Sequence, residues 1–189
     1  GIAGGSGYSI EWNGEEGINI EWKTEIPKPG QSSPAIWEDK IFLTGAEGKE
    51  CEVYCVDKKR GDLLWTGYVS NIQNEPEILP ETDHDTGLAA STVAVNESVV
   101  CAVFANGNLA SFDHGGKLMW SKNIGLPENF YGYSSSLMIY ENTLLVQFDG
   151  NEKISLMAFN AETGELNWET VRPGRPVWSS PVIAYFDGK

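Results

Sequence analysis

The stretch Val56-Asp57-Lys58-Lys59-Arg60-Gly61-Asp62-Leu63-Leu64-Trp65 decides how this 189-residue chain folds, because the chain repeats it. It returns as Phe112-Asp113-His114-Gly115-Gly116-Lys117-Leu118-Met119-Trp120 and as Phe159-Asn160-Ala161-Glu162-Thr163-Gly164-Glu165-Leu166-Asn167-Trp168. Each copy has a hydrophobe, an Asp or Asn, a turn carrying a Gly, and a Trp four residues beyond that Gly. A degenerate copy ends Gly17-Ile18-Asn19-Ile20-Glu21-Trp22. A second phrase keeps the same order: Ser32-Ser33-Pro34-Ala35-Ile36 recurs as Ser179-Ser180-Pro181-Val182-Ile183. Weaker forms stand at Ala90-Ser91-Thr92-Val93-Ala94 and Ser135-Ser136-Leu137-Met138-Ile139. A period near fifty residues, with turns between short apolar runs, suits one propeller blade per repeat.

Working outward, the first unit predicts four strands. Ser33 to Trp37 is a short apolar run closed by Glu38-Asp39, and Lys40 to Thr44 is apolar almost throughout, as a strand covered on both faces would be. Gly45 to Lys49 reads as a loop. Glu50 to Val56 alternates, with Cys51, Val53 and Cys55 on one face and Glu52 and Tyr54 on the other. After the turn at Lys58–Gly61, Leu63 to Val69 is the outer strand. The second unit gives Ser91–Val95, Val99–Ala105, Asn108–Asp113 and Lys117–Asn123, and Asn106-Gly107 predicts a type I′ hairpin. The third gives Ser136–Tyr140, Thr143–Phe148, Lys153–Asn160 and Glu165–Val171. Asn19 to Ile26 reads as a lone last strand, and Ser180 to Tyr185 opens a further unit with Asp187-Gly188 as its turn.

The expectation is an all-β propeller segment of four-stranded antiparallel blades. It divides into a last strand at 17–27, blades at 32–70, 88–124 and 134–171, and a new blade starting at 178–189. Such a sheet buries both faces only by stacking on neighbours, and a Trp burying on the order of 200 Å² can clamp one blade to the next. Trp22, Trp65, Trp120 and Trp168, with Gly61, Gly116 and Gly164, are the expected docking residues.

These residues resemble the PQQ-type repeat, Ala-x-Asp-x-x-Thr-Gly-x-x-x-Trp, of the quinoprotein-like and BamB-like β-propeller family. Phe159 to Trp168 matches best, Val56 to Trp65 has Arg60 in place of Thr, and Phe112 to Trp120 is one residue short before its turn. The Trp residues are followed by Lys23, Thr66, Ser121 and Glu169, unlike a WD40 repeat. The resemblance implies closed rings of seven or eight blades, so about half a ring is expected here, completed by further residues or by a second copy. It also implies a bacterial periplasmic or cell-envelope location.

A formal charge of −14 opposes nucleic acid and anionic membrane surfaces, and no transmembrane run is present. Cys51 and Cys55 lie about 13 Å apart along one strand, too far to bridge. They and Cys101 read as core hydrophobes, with a Cys51–Cys101 contact as the alternative.

Chemistry is expected on loops joining an outer strand to the next inner strand: Pro27–Gln31, Ser70–Gly87, Gly125–Ser134 and Arg172–Trp178. The second carries Glu75, Glu77, Glu81, Asp83, His84 and Asp85, which reads as a solvated acidic loop or, alternatively, a metal cluster. Phe130, Tyr131 and Tyr133 on the third, with Arg172, Arg175 and Trp178 on the fourth, suit peptide or sugar recognition, against a loop-anchoring alternative. Asn96-Glu97-Ser98 is a glycosylation sequon in a turn and is assigned no role. No serine-hydrolase elbow, zinc-protease helix or phosphate loop occurs.

The reading is a non-catalytic envelope scaffold binding a protein or small ligand, with no cofactor expected. The first alternative is a PQQ-dependent dehydrogenase with Ca²⁺, for which the resemblance implies an adjacent Cys pair that this sequence lacks. The second is a polysaccharide-active propeller enzyme.

Overall fold

A computed structural model describes residues 7 and 9–185, and its described residues form twelve strands in three four-stranded antiparallel sheets, each ordered as in the chain. The first sheet is β1 (Ala35–Trp37), β2 (Lys40–Glu47), β3 (Glu50–Asp57) and β4 (Leu63–Tyr68). The second is β5 (Ala94–Val95), β6 (Val99–Val103), β7 (Asn108–Asp113) and β8 (Leu118–Asn123). The third is β9 (Met138–Tyr140), β10 (Thr143–Asp149), β11 (Ile154–Asn160) and β12 (Leu166–Val171). The fold is all-β.

The sheets stack through alternate side chains. Phe42 and Ala46 of β2 and Cys51, Val53 and Cys55 of β3 face Val100, Ala102, Ala110 and Phe112 of the second sheet. The opposite face of the second sheet, Val99, Cys101, Val103 and Leu109, meets Leu144, Val146, Met157 and Phe159 of the third. The middle sheet is therefore apolar on both faces, which is why β6 is buried at all five positions. Cys51 and Cys101 lie in different interfaces, so the alternative contact between them does not form.

The repeated phrase joins these layers. Trp22 Nε1 donates to the Lys58 carbonyl at 3.1 Å, Trp65 Nε1 to His114 O at 3.1 Å, and Trp120 Nε1 to Ala161 O at 2.9 Å. In each case the acceptor directly follows the motif's Asp or Asn in the next unit. The indole then covers that unit's Gly. A Cβ on Gly61, Gly116 or Gly164 would stand 2.5, 2.7 or 2.6 Å from the Cδ2 of the indole above it, and all three glycines have positive φ. Gly is thus required both for backbone conformation and for ring clearance. The Asp or Asn holds the turn: Asp57 Oδ1 accepts from Lys59 and Arg60 N–H, Asp113 Oδ1 from Gly115 and Lys117, and Asn160 Oδ1 from Glu162 and Thr163. The shorter second copy compensates locally. Gly116 N–H bonds the carbonyl three residues back, whereas Gly61 and Gly164 reach four back, and the Gly still arrives beneath its indole. Trp168 is 44% exposed and meets no such turn among the described residues.

The Ser-Ser phrase links the inner strands. Ser33 N–H donates to Thr92 Oγ1 and Ser136 N–H to Ser180 Oγ, while Ser91 and Ser135 hydroxyls donate to the Ser135 and Ser179 carbonyls. Residues 178–185 accordingly lie against the third sheet, with no strand pairing among the described residues. Phe186 to Lys189, including the Asp187-Gly188 turn, fall outside the described residues. Asn19 to Ile26 likewise joins no sheet: its anchors are Trp22 and the Thr24 hydroxyl on Gly61 O, and no described strand offers it a ladder.

Two turns differ from the sequence reading. Gly45 to Glu47 extend β2, because Gly45 and Ala46 pair with Glu52 and Cys51, so the turn contracts to Gly48-Lys49. At Asn106-Gly107 only Gly107 has positive φ, and its N–H bonds Phe104 O while Phe104 N–H bonds Asn108 O. This is a three-residue type I loop closed by a glycine bulge, because Ala105 is part of the loop rather than of β6.

Gly116→Ala should destabilise the fold by on the order of 2–4 kcal/mol, from backbone strain plus collision with Trp65. Gly48→Ala, with φ +58 and nothing within 4 Å of the added carbon, should cost only the strain, about 1–2 kcal/mol. Urea midpoints of the two variants measure the difference, and equal midpoints would refute the clamp. Burial pushes the thiols up to about 12 for Cys51 and Cys101 and about 11 for Cys55. All three should therefore resist a thiol reagent at pH 8 in the folded protein and react together once urea unfolds it.

Candidate functional site

Three of the connecting loops meet at one end of the sheets. Asp83 N–H donates to Phe130 O at 3.0 Å, tying the 70–87 loop to the 125–134 loop. Tyr131 and Trp178 pack edge to face, with ring centres 5.2 Å apart and planes at 79°, bringing in the 172–178 loop. Phe130 also packs edge to face on Tyr131, with ring centres 5.9 Å apart. These three rings stay exposed, at 59% for Phe130, 39% for Tyr131 and 55% for Trp178, so the loops spend aromatic surface on solvent that a purely structural role would bury. Thr86, Tyr131, Ser134 and Trp178 line a cavity of about 300 Å³ there.

Other sequence candidates serve the scaffold beneath this surface. Tyr133 is 4% exposed, donates its hydroxyl to Gly125 O at 2.9 Å and packs on Phe148. It lies beneath the exposed rings, two residues from Tyr131 across a Gly132 of positive φ, and burial raises its phenol pKa. Arg172 is ion-paired through Nη2 to Asp149 Oδ1. Asp149 also accepts from Gln147 Nε2 at 2.6 Å and from Val177 N–H at 3.1 Å, and its carbonyl accepts from Asn129 Nδ2. Asp149 is thus the hub that fixes two of the loops. The sequence reading missed it by ending that strand at Phe148; the signal was an acid directly after an apolar run, and it is the buried last residue of β10. Arg175 stays exposed on the same loop.

The acidic loop divides in two. Glu75 Oε1 accepts from Asn108 Nδ2 at 2.7 Å and Asn106 Nδ2 at 3.4 Å, so this carboxylate anchors the loop to the β6–β7 turn rather than standing in water. Asp83, His84 and Asp85 place their ligand-type atoms within 4.8 Å of one another. His84 is 90% exposed, with Nε2 at 3.0 Å from Asp85 Oδ1. Two carboxylates and an imidazole could hold a divalent ion, but here they lie on a surface turn whose geometry is already supplied by Asp83 Oδ1 accepting from Asp85 N–H.

For a quinone cofactor with Ca²⁺, the described residues do not fit. Cys51, Cys55 and Cys101 are separate, buried and reduced, and the exposed Asp83–Asp85 cluster is not beside a stacking pair of sulfurs. The sequon is also occupied: Asn96 Oδ1 caps Ser98 and Val99 N–H and Nδ2 donates to Glu141 O. His114 Nε2 sits 2.8 Å from Asn96 O, so this ring is part of the turn packing.

Comparison with known proteins follows the repeat. The family model described as outer membrane protein assembly factor BamB matches residues 2–174. Outer membrane protein assembly factor BamB of Yersinia pestis is 29% identical over 117 residues, which is 59% of this chain and 28% of that protein. Quinoprotein alcohol dehydrogenase PedH of Pseudomonas putida is 28% identical over 163 residues, 84% of this chain and 25% of that protein. The chain spans about a quarter of the length of these two curated relatives. The crystal structure of BamB from Moraxella catarrhalis superposes with a TM-score of 0.52 at 22% identity, covering 79% of this chain and 41% of that one, which supports the shared fold.

Asp149→Ala should release both loops by leaving Arg172 without its carboxylate, at about 3–5 kcal/mol for breaking a buried pair. Chymotrypsin should then cut faster after Trp178 in the otherwise native protein. Unchanged digestion rates would show that Asp149 does not hold the loop face.

Proposed function

Because the chain belongs to the BamB assembly-factor family of PQQ-type propeller repeats, we propose that it is a non-catalytic binding scaffold of the bacterial cell envelope, acting on its periplasmic side. The observation that carries this reading is the loop face, where Phe130, Tyr131 and Trp178 from two loops form one exposed aromatic cluster tied to a third loop. Exposed aromatic anchors in a shallow cavity are the composition of a protein-recognition surface. The stacked sheets supply a rigid base for them, so little ordering entropy opposes binding. Among the described residues there is no helix long and apolar enough to cross a membrane. We further propose that the units divide as 32–70, 88–124 and 134–171, with residues 17–27 and 178–189 docking as flanking parts of neighbouring units, and that Trp168 clamps onto a further repeat or a second copy.

The second reading, a PQQ-dependent dehydrogenase, is favoured by the similarity to PedH and opposed by the poor fit of the cysteines and carboxylates to the cofactor. One experiment addresses both. Immobilised protein should capture a discrete outer-membrane protein from an envelope extract, identified by mass spectrometry, and the combined Tyr131→Ala and Trp178→Ala change should reduce the yield at least about tenfold. Dye-linked oxidation of alcohols after addition of PQQ and Ca²⁺ should stay at background. Turnover there, with no protein captured, would replace the scaffold by the enzyme.

A further inference from the structure

We propose that the loop face takes an extended basic peptide segment, seating one apolar side chain between Tyr131 and Trp178 and a second on the far side of Thr86. This rests on the reading of that face as a protein-binding surface and names the chemistry of its partner.

The first argument is shape. Beside the 300 Å³ notch lies a second cavity of about 330 Å³, lined by Pro29, Ala46, Glu47, His84, Thr86 and Leu88 among others. Thr86 lines both. It is a fixed partition: its N–H and Oγ1 both bond Asp83 O at 3.1 Å, and Asp83 N–H is fastened to Phe130 O. Each compartment is at the small end for an organic ligand, whereas two compartments sharing one wall suit successive same-face side chains of an extended chain, which recur about every 7 Å. The edge-to-face rings leave a notch between them and no open platform. The notch wall is two rings and two hydroxyl residues, with no carboxylate or amide to receive sugar hydroxyls.

The second argument is charge. The four connecting loops carry Glu75, Glu77, Glu81, Asp83, Asp85 and Glu128 against Lys28, Arg172 and Arg175. Lys28 is held by Glu50 and Glu52, and Arg172 by Asp149, so both cations are neutralised in place. Glu47 and His84 line the second compartment, and Asp83 and Asp85 flank that His84, on a chain of net charge −14. A lysine- or arginine-bearing segment gains from this field, and phosphate-bearing partners are repelled by it.

The test is fluorescence anisotropy at low salt with a labelled synthetic peptide, Gly-Lys-Phe-Lys-Leu-Lys-Gly. Saturable binding is expected, weakened at least about tenfold when Lys is changed to Glu or when Phe and Leu are changed to Ser. Trp178→Ala and Tyr131→Ala should each weaken it about tenfold, and Ser134→Phe should block it by filling the notch while both rings remain. Combined Asp83→Asn and Asp85→Asn should lower affinity several-fold and flatten its salt dependence. Far-UV circular dichroism and urea midpoints confirm that each variant is folded. Binding indifferent to Trp178→Ala and Ser134→Phe, equal binding of the Glu peptide, or displacement by a neutral oligosaccharide would overturn the proposal. Partner capture that persists while this peptide neither binds nor competes would sink this inference and leave the scaffold reading standing. Peptide binding at the notch without any captured partner would do the reverse.

Discussion

One contact propagates this architecture: an indole of one unit lying on the glycine of the next, with its N–H on the carbonyl beside the turn's Asp or Asn. Every other element of the repeat serves it. The carboxylate or amide closes the turn, the positive φ of Gly presents a bare backbone, and the missing Cβ admits the ring. The pairing also fixes register between sheets. If a turn slid by one residue, the ring would meet a side chain and the N–H would lose its acceptor, at a cost of both packing and an unsatisfied buried donor. Each outer strand carries an irregularity at the same place, between Cys55 and Val56, Ser111 and Phe112, and Ala158 and Phe159 on its partner. The extra residue sits immediately before each Trp, as Leu64, Met119 and Asn167. Such a bulge turns the strand and aims the indole out of its own sheet toward the next one.

This explains how much was legible before any coordinates. The four-stranded units and their order were readable because the repeat places fixed residue types at fixed offsets, the same offsets at which Trp65 and Trp120 meet Gly116 and Gly164. Strand ends were less so. Ser33, Ser91 and Ser136 read as strand, yet hydrogen-bond sideways to or from the next unit, since these side chains and N–H groups find partners outside their own ladder. Residues 19–26 and 180–185 carry strand-like patterns, but a strand is defined by its neighbour, and a pattern cannot supply one.

The loop face was legible in composition and not in roles. Phe130, Tyr131, Tyr133 and Trp178 look alike in sequence, but one of the four is buried beneath the others. Arg172 and Arg175 are three residues apart and differ as completely, because only one reaches Asp149. Glu75 and Asp85 belong to one acidic run, yet the first anchors the loop through Asn108 and the second stands in water. Side-chain fate on a loop depends on which neighbouring loop it meets, and that information is distributed over residues some 30 to 50 positions apart, as the Glu75–Asn108, Tyr131–Trp178 and Asp83–Phe130 contacts show.

The division of labour follows from packing. The middle sheet of this stack uses both faces to hold its neighbours, so a residue of β6 cannot change without disturbing cores that hold Phe42, Val53 and Phe112 on one side and Leu144 on the other. The turns and loops are freer to vary. Of these, the tight turns at the Asp and Asn positions are committed to the clamp, while the connections between sheets are long enough to carry extra side chains and close enough together to share them. The proposed binding face therefore falls at the end where these connections converge. There the same aromatic rings that would be buried inside a smaller loop are left facing solvent by a scaffold whose cohesion is already supplied elsewhere.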